Sequence, residues 1–157
     1  MEMTLGTAGP ADVRATSCLA DAGIAADHDV DAVVLCQHRV VSATVLVVDD
    51  HAWFRTAVSA LLGAEGFSVV GEAGDGEEAL TMVGLLHPDV VLLDVQLPGI
   101  DGFEVARRLA ALGSPPVVLL ISSRTASDYG DEVALSPARG FLDKGSLSGA
   151  ELTRLLR

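Results

Sequence analysis

From Thr44 onward the chain alternates between short runs of β-branched and aliphatic residues and longer stretches whose apolar positions recur at helical spacing. The runs are Val45-Leu46-Val47-Val48, Phe67-Ser68-Val69-Val70, Val90-Val91-Leu92-Leu93, Val117-Val118-Leu119-Leu120-Ile121 and Gly140-Phe141-Leu142. Several are continuously apolar, as expected of parallel strands covered on both faces. The intervening spacing predicts helices over roughly 52–64, 76–86, 102–112, 127–135 and 148–157. Turn chemistry separates them: Gly63 and Gly66, then His87-Pro88-Asp89, then Gly113-Ser114-Pro115-Pro116. Five β-α units in succession predict a doubly wound α/β domain with right-handed crossovers over residues 44–157. Residues 1–43 show no sustained period and only one short β-like run, Ala32-Val33-Val34-Leu35-Cys36. Two readings of this segment stay open, a flexible leader or a first Met upstream of the natural start.

Composition narrows the function. The 157 residues carry 22 acidic and ten basic side chains, a net charge of -12, and half of them are apolar. A wholly disordered chain is excluded by that apolar content. Direct nucleic-acid binding is not expected, because phosphate affinity comes from clustered Lys and Arg. Cys18 and Cys36 do not suggest a disulfide scaffold, and with His28 and His38 they match no zinc spacing. Glu2 stands where a basic signal-peptide region would begin, and the apolar runs are far short of the ~20 residues of a membrane span. A cytoplasmic protein without membrane contact is the expectation. Nine of the ten basic residues are Arg, and Lys144 is the only Lys.

In doubly wound folds, reactive groups collect beyond the carboxyl ends of the strands, where strand order reverses. The strand ends here are Asp49-Asp50, Asp94, Ser122 and Asp143-Lys144. Three crowded carboxylates repel one another, and a hard divalent cation relieves the repulsion; carboxylates with a backbone carbonyl and water suit Mg²⁺. The incomplete coordination then favours an anionic ligand such as phosphate, with Lys144 paired to one oxygen and Ser122 donating to another. The chemistry that follows is in-line attack of Asp94 on phosphorus. Each residue also has an ordinary reading. Asp49-Asp50 would serve as a helix cap, Ser122 as the start of a loop, and Lys144 as a solvated charge. Taken jointly, those readings become improbable. Phe141 stays open between core aromatic and moving switch. His51 reads as a loop residue, since Mg²⁺ prefers oxygen. Trp53, the only Trp, is expected to pack near the acids, where its fluorescence would report on them.

The stretches Val45-Leu-Val-Val-Asp-Asp-His51, Pro88-Asp-Val-Val-Leu-Leu-Asp-Val-Gln-Leu-Pro-Gly-Ile-Asp-Gly102, Leu119-Leu-Ile-Ser-Ser-Arg124 and Gly140-Phe-Leu-Asp-Lys144 together resemble the receiver domain of two-component response regulators. The resemblance implies a flavodoxin-like (βα)5 fold with strand order 2-1-3-4-5. It implies Asp94 as phosphoacceptor, Asp50 as direct Mg²⁺ ligand, Asp49 acting through metal-bound water, and the Gln96 backbone carbonyl as a further ligand. Ser122 becomes the switch hydroxyl, Lys144 the phosphate-pairing cation, and Phe141 the aromatic that turns inward. Gln96 and Arg124 flank the path of a dephosphorylating water. The implied partners are a histidine kinase or phosphotransfer protein, a downstream protein target, and a second copy of the chain as a homodimer. His51 with Arg55, and Gly145 after Lys144, resemble receivers that carry a helix-turn-helix output domain. The chain nevertheless ends at Arg157, so a single-domain regulator is expected, signalling through the face of helix four, strand five and helix five. Two other classes remain: a receiver-like interaction module working without phosphorylation, and a Mg²⁺-dependent phosphatase. The latter would show Asp-x-Asp at the nucleophile, whereas Val95-Gln96 follow Asp94.

Overall fold

The computed structural model describes residues 43–157. The expected leader, except its last residue, and its β-like run lie outside the described residues. Each continuously apolar run becomes a strand because both of its faces are covered. The strands β1 (Thr44–Val48), β2 (Ser68–Ala73), β3 (Val90–Asp94), β4 (Val117–Ser122) and β5 (Gly140–Asp143) form one parallel sheet in the order β2-β1-β3-β4-β5. Successive side chains alternate between two cores. Val45, Val47, Val90, Leu92, Leu119 and Ile121 pack with Phe54, Val58 and Leu62 of α1 (Ala52–Ala64) and Leu152 of α5 (Gly149–Leu156). Their neighbours Leu46, Val48, Val91, Leu93, Val118 and Leu120 pack on the other face, against α2 (Gly76–Leu86) and α3 (Gly102–Ala110).

The expected α/β architecture and strand order are thus found. Three segments differ in extent. β2 runs to Ala73 rather than ending at Val70, because Val45 pairs with Val69 and Leu46 with Gly71, leaving Val70 as an inserted residue. Helix α3 stops at Ala110 instead of continuing to Leu112. The helix expected over 127–135 is broken into a 3-10 turn, Ala126–Tyr129, and a single-turn α4, Glu132–Leu135. Gly130, with φ of 57°, stands between them. The Thr125 and Asp128 side chains hold the first turn by reciprocal capping, and no residue of either piece is fully buried, so no apolar stripe holds one long helix together.

Three helices start from the same local device. Asp75, Asp101 and Ser148 accept the backbone N–H of Glu78, Glu104 and Glu151 at the starts of α2, α3 and α5. Helix α1 lacks it: His51 occupies the cap position and its side chain makes no capping bond. The β3–α3 connection turns through Gly99 at φ of 80° and brings α3 hard against the strand it follows. A Cβ on Gly102 would lie 2.3 Å from the Asp94 carbonyl oxygen and 2.9 Å from Val95 Cα. Because the chain passes from β1 outward to β2 and returns to β3, the loops after β1 and β3 leave the sheet in opposite directions and open a crevice between them.

Leu119 is fully buried between α1 and α5; Leu119→Ala is expected to cost about 2–5 kcal/mol in urea or thermal unfolding. Gly102→Ala places a methyl group against backbone that cannot retreat without moving Asp94. It is expected to cost about 1–3 kcal/mol, despite the better helix propensity of Ala, in the same measurement.

Candidate functional site

The crevice between β1 and β3 is where the strand-end acids meet. Asp49 and Asp94 continue the alternation of Val45, Val47, Val90 and Leu92, so both carboxylates lie toward the α1 and α5 side. Both are buried, at 0% and 3% exposure, whereas Asp50, one residue on, is open to solvent. Lys144 follows β5 and reaches across to join the two buried acids. Its ammonium pairs with Asp49 Oδ2 and donates to Asp94 Oδ2 at 2.8 Å. It also stands 4.6 Å from the centroid of the Phe54 ring, giving the charge an aromatic wall.

The remaining contacts fix the two acids unequally. Asp49 Oδ1 accepts the backbone N–H of His51 at 2.8 Å, so this carboxylate closes a tight turn rather than capping α1. Arg55 donates to the Asp49 carbonyl at 2.6 Å and is itself held by Glu72, which also accepts from Ser59. Asp94 Oδ1 accepts the N–H of Gln96 at 3.2 Å. Burial pushes the Asp94 carboxyl above its ordinary range, against the opposing pull of the Lys144 hydrogen bond and charge. Burial likewise disfavours the Lys144 charge, but hydrogen bonds and attraction from Asp49 and Asp94 outweigh it and hold the ammonium above its ordinary value.

His51 is not a bystander. Its Nδ1 lies 2.7 Å from Asp50 Oδ1 and 3.2 Å from Asp49 Oδ1, and one ligand atom from each of the three residues falls within 4.8 Å of the others. Trp53 departs from the expected packing: it is 71% exposed, edge-on to Phe54, at the rim of a cleft of ≈ 450 Å³ shared with His51 and Lys144. An aromatic in the first turn of α1 faces out there because Phe54, its neighbour, takes the core position.

Ser122 is brought to the same sheet edge but not to the same side. It has the alternation of Val118 and Leu120 and is buried toward α2 and α3. Its Oγ accepts the N–H of Arg124 at 3.0 Å and shares a 2.7 Å hydrogen bond with the Tyr129 hydroxyl. Phe141 lies on that side too, partly buried and tilted against Tyr129. Gln96 and Arg124 are exposed at the mouth. The contacts of Tyr129 and the bridging by Arg55 are not visible as motifs in the chain. The only available signals are that Tyr129 is the sole Tyr and that Arg55 falls one helical turn after His51.

Residues 45–157 match the family model of the response regulator receiver domain. Over 100 residues the chain is 39% identical to the virulence-factor transcription regulator BvgA of Bordetella pertussis, covering 64% of this chain and 48% of that one. It is 38% identical over 116 residues to the response regulator GacA of Pseudomonas viridiflava, covering 72% and 53%. The chain therefore spans about half the length of the curated relatives it matches. The receiver domain of the Mycobacterium tuberculosis response regulator NarL aligns with a TM-score of 0.66 at 37% identity, over 74% of this chain and 98% of that one. The chemotaxis regulator CheY4 of Vibrio cholerae aligns at 0.63 and 30% identity, over 73% and 96%. A match running from the first residues of β1 through the end of α5, on a sheet of the same strand order, makes this chain a member of the response regulator receiver domain family.

Proposed function

We propose that Asp94 accepts a phosphoryl group from a phosphohistidine of a histidine kinase or phosphotransfer protein in a Mg²⁺-dependent reaction. The observation that carries this reading is the Lys144 ammonium shared between two buried carboxylates. One cation against two buried acids leaves negative charge uncompensated, and Asp50 adds a third acid at the rim. The buried Asp49 Oδ2 has that ammonium as its only partner among the described residues. An all-oxygen donor set of Asp49, Asp50, Asp94 and the Gln96 carbonyl fits a hard cation. When bound there, Mg²⁺ supplies positive charge to the acids and to phosphoryl oxygens.

The chain's own residues do the rest. An Asp94 oxygen forms the new O–P bond as the N–P bond to the donor imidazole breaks, and the imidazole leaves with that electron pair and takes up a proton. Lys144, already against Asp94, transfers its pairing to a phosphoryl oxygen as a compact point charge. Ser122 donates a hydrogen bond to another. The burial of Asp94 disfavours its free carboxylate, and the incoming phosphoryl group adds further negative charge, so the Lys144 ammonium and a bound cation are what balance the product. Water attack on phosphorus then breaks the O–P bond, releases inorganic phosphate and returns Asp94 to the carboxylate, with Gln96 and Arg124 at the approach. The phosphorylated state signals to a protein partner through α4, β5 and α5, a face on which the single-turn α4 carries no fully buried side chain.

Incubation with acetyl phosphate and Mg²⁺ is expected to add one phosphoryl group by intact mass, with none added to Asp94→Asn or in the presence of a chelator. No gain on the wild type, or a gain that survives Asp94→Asn, would sink the assignment. The trapped charge gives a second expectation for metal-free protein. Because folding raises the pKa of Asp94, its contribution to stability falls as pH rises through that raised value. Asp94→Asn is therefore expected to melt close to the wild type near pH 4 and a few degrees above it at neutral pH, read by thermal scans between about pH 4 and about pH 8. A variant less stable than wild type at neutral pH would contradict the sign.

A further inference from the structure

The hydroxyl of Ser122 is occupied in this structure by a residue that the reaction as described does not use. Tyr129 sits seven residues beyond it, after the 3-10 turn, and the two oxygens are 2.7 Å apart. The Arg124 N–H takes another position on the same Oγ. Among the described residues no hydrogen bond joins Ser122 to Asp94 or Lys144, and the strand alternation explains why. Asp94 continues the face of β3 that looks toward α1 and α5, whereas Ser122 continues the face of β4 that looks toward α2 and α3. Serving a group on Asp94 requires Oγ to turn toward the sheet edge and away from the phenol.

We propose that Tyr129 is a positioning residue that holds Ser122 in its resting orientation and competes with the phosphoryl group for its hydroxyl. This rests on the phosphoacceptor role of Asp94. The phenol is well placed for it. Its ring is braced edge-on by Phe103 of α3 at 5.6 Å and tilted against Phe141 of β5 at 6.1 Å, so the hydroxyl is presented at a defined height above the strand end. Tyr129 and Val133 are the hydrophobic side chains that pack the 126–135 segment on the core, and none of that segment is fully buried. Loss of the Ser122 bond therefore loosens a segment with little else to hold it. The competition sets how tightly the phosphoryl state is held, and the freed phenol carries the change to Phe141 and the segment before β5.

Tyr129→Phe removes the hydroxyl and keeps both ring contacts. Beryllofluoride with Mg²⁺ serves as the phosphoryl mimic, its binding followed in titrations of wild type, Tyr129→Phe, Ser122→Ala and the double variant. The proposal expects Tyr129→Phe to bind roughly 2- to 12-fold more tightly than wild type, the range for one neutral hydrogen bond released, and expects no such gain in the Ser122→Ala background. Because Tyr129 is the only Tyr, fluorotyrosine labelling gives one ¹⁹F resonance, which is expected to move on beryllofluoride binding in the wild type and much less in Ser122→Ala. Equal or weaker binding by Tyr129→Phe, or a gain that persists without Ser122, would overturn the competition while leaving phosphorylation of Asp94 intact. A wild type that takes neither beryllofluoride nor phosphoryl would remove the parent reading and this one together.

Discussion

The acidic corner at the carboxyl edge of the sheet is organised by one ammonium group placed between two buried carboxylates. Lys144 is held by Asp49, Asp94 and the ring of Phe54, so it ties the ends of β1, β3 and β5 and the first turn of α1 to a single point. Removing the ammonium would leave two buried carboxylates facing each other unpaired, which is costly. The arrangement is nevertheless short of one positive charge, and that deficit leaves the corner attractive to a further cation.

The two faces of the sheet divide the labour. Period-two alternation places Asp49, Asp94 and Lys144 with the α1 and α5 core, and Ser122 and Phe141 with the α2 and α3 core. The Asp49–Asp94–Lys144 cluster and the Ser122–Tyr129–Phe141 cluster are thus on opposite sides of one strand thickness. β4 is the element at which they touch, because its end, Ser122, adjoins Asp94 through the β3–β4 pairing that sets Asp94 opposite Ile121.

Much of this was legible in the chain because the governing physics is local or periodic. Short apolar runs, several of them uninterrupted, read as strands, and five of them with helical spacing between left one architecture to consider. The site residues were legible as strand-end residues, since polar groups terminating apolar runs stand out. What stayed hidden depended on contacts between elements distant in sequence. No pattern announces that Val70 is inserted against β1, or that Arg55 reaches the Asp49 carbonyl. The 127–135 stretch misled because its composition is compatible with a helix, while Gly130 and the Thr125 and Asp128 capping decide otherwise. Trp53 misled for a related reason: size argues for burial, but the helical phase belongs to Phe54.

Helix α1 begins differently from α2, α3 and α5, and this has a mechanical consequence. Those three carry their own caps, so their first turns are anchored by residues with no other duty. The start of α1 is anchored instead through Asp49, whose carboxylate receives the His51 N–H and whose carbonyl receives Arg55, with Glu72 bracing Arg55. Its opening turn therefore has a local unfolding free energy tied to the contacts of the acid beneath it, and amide exchange along Ala52–Phe54 becomes a gauge of how firmly that acid is held. A helix without a private cap is one whose fraying is set by its neighbour's chemistry.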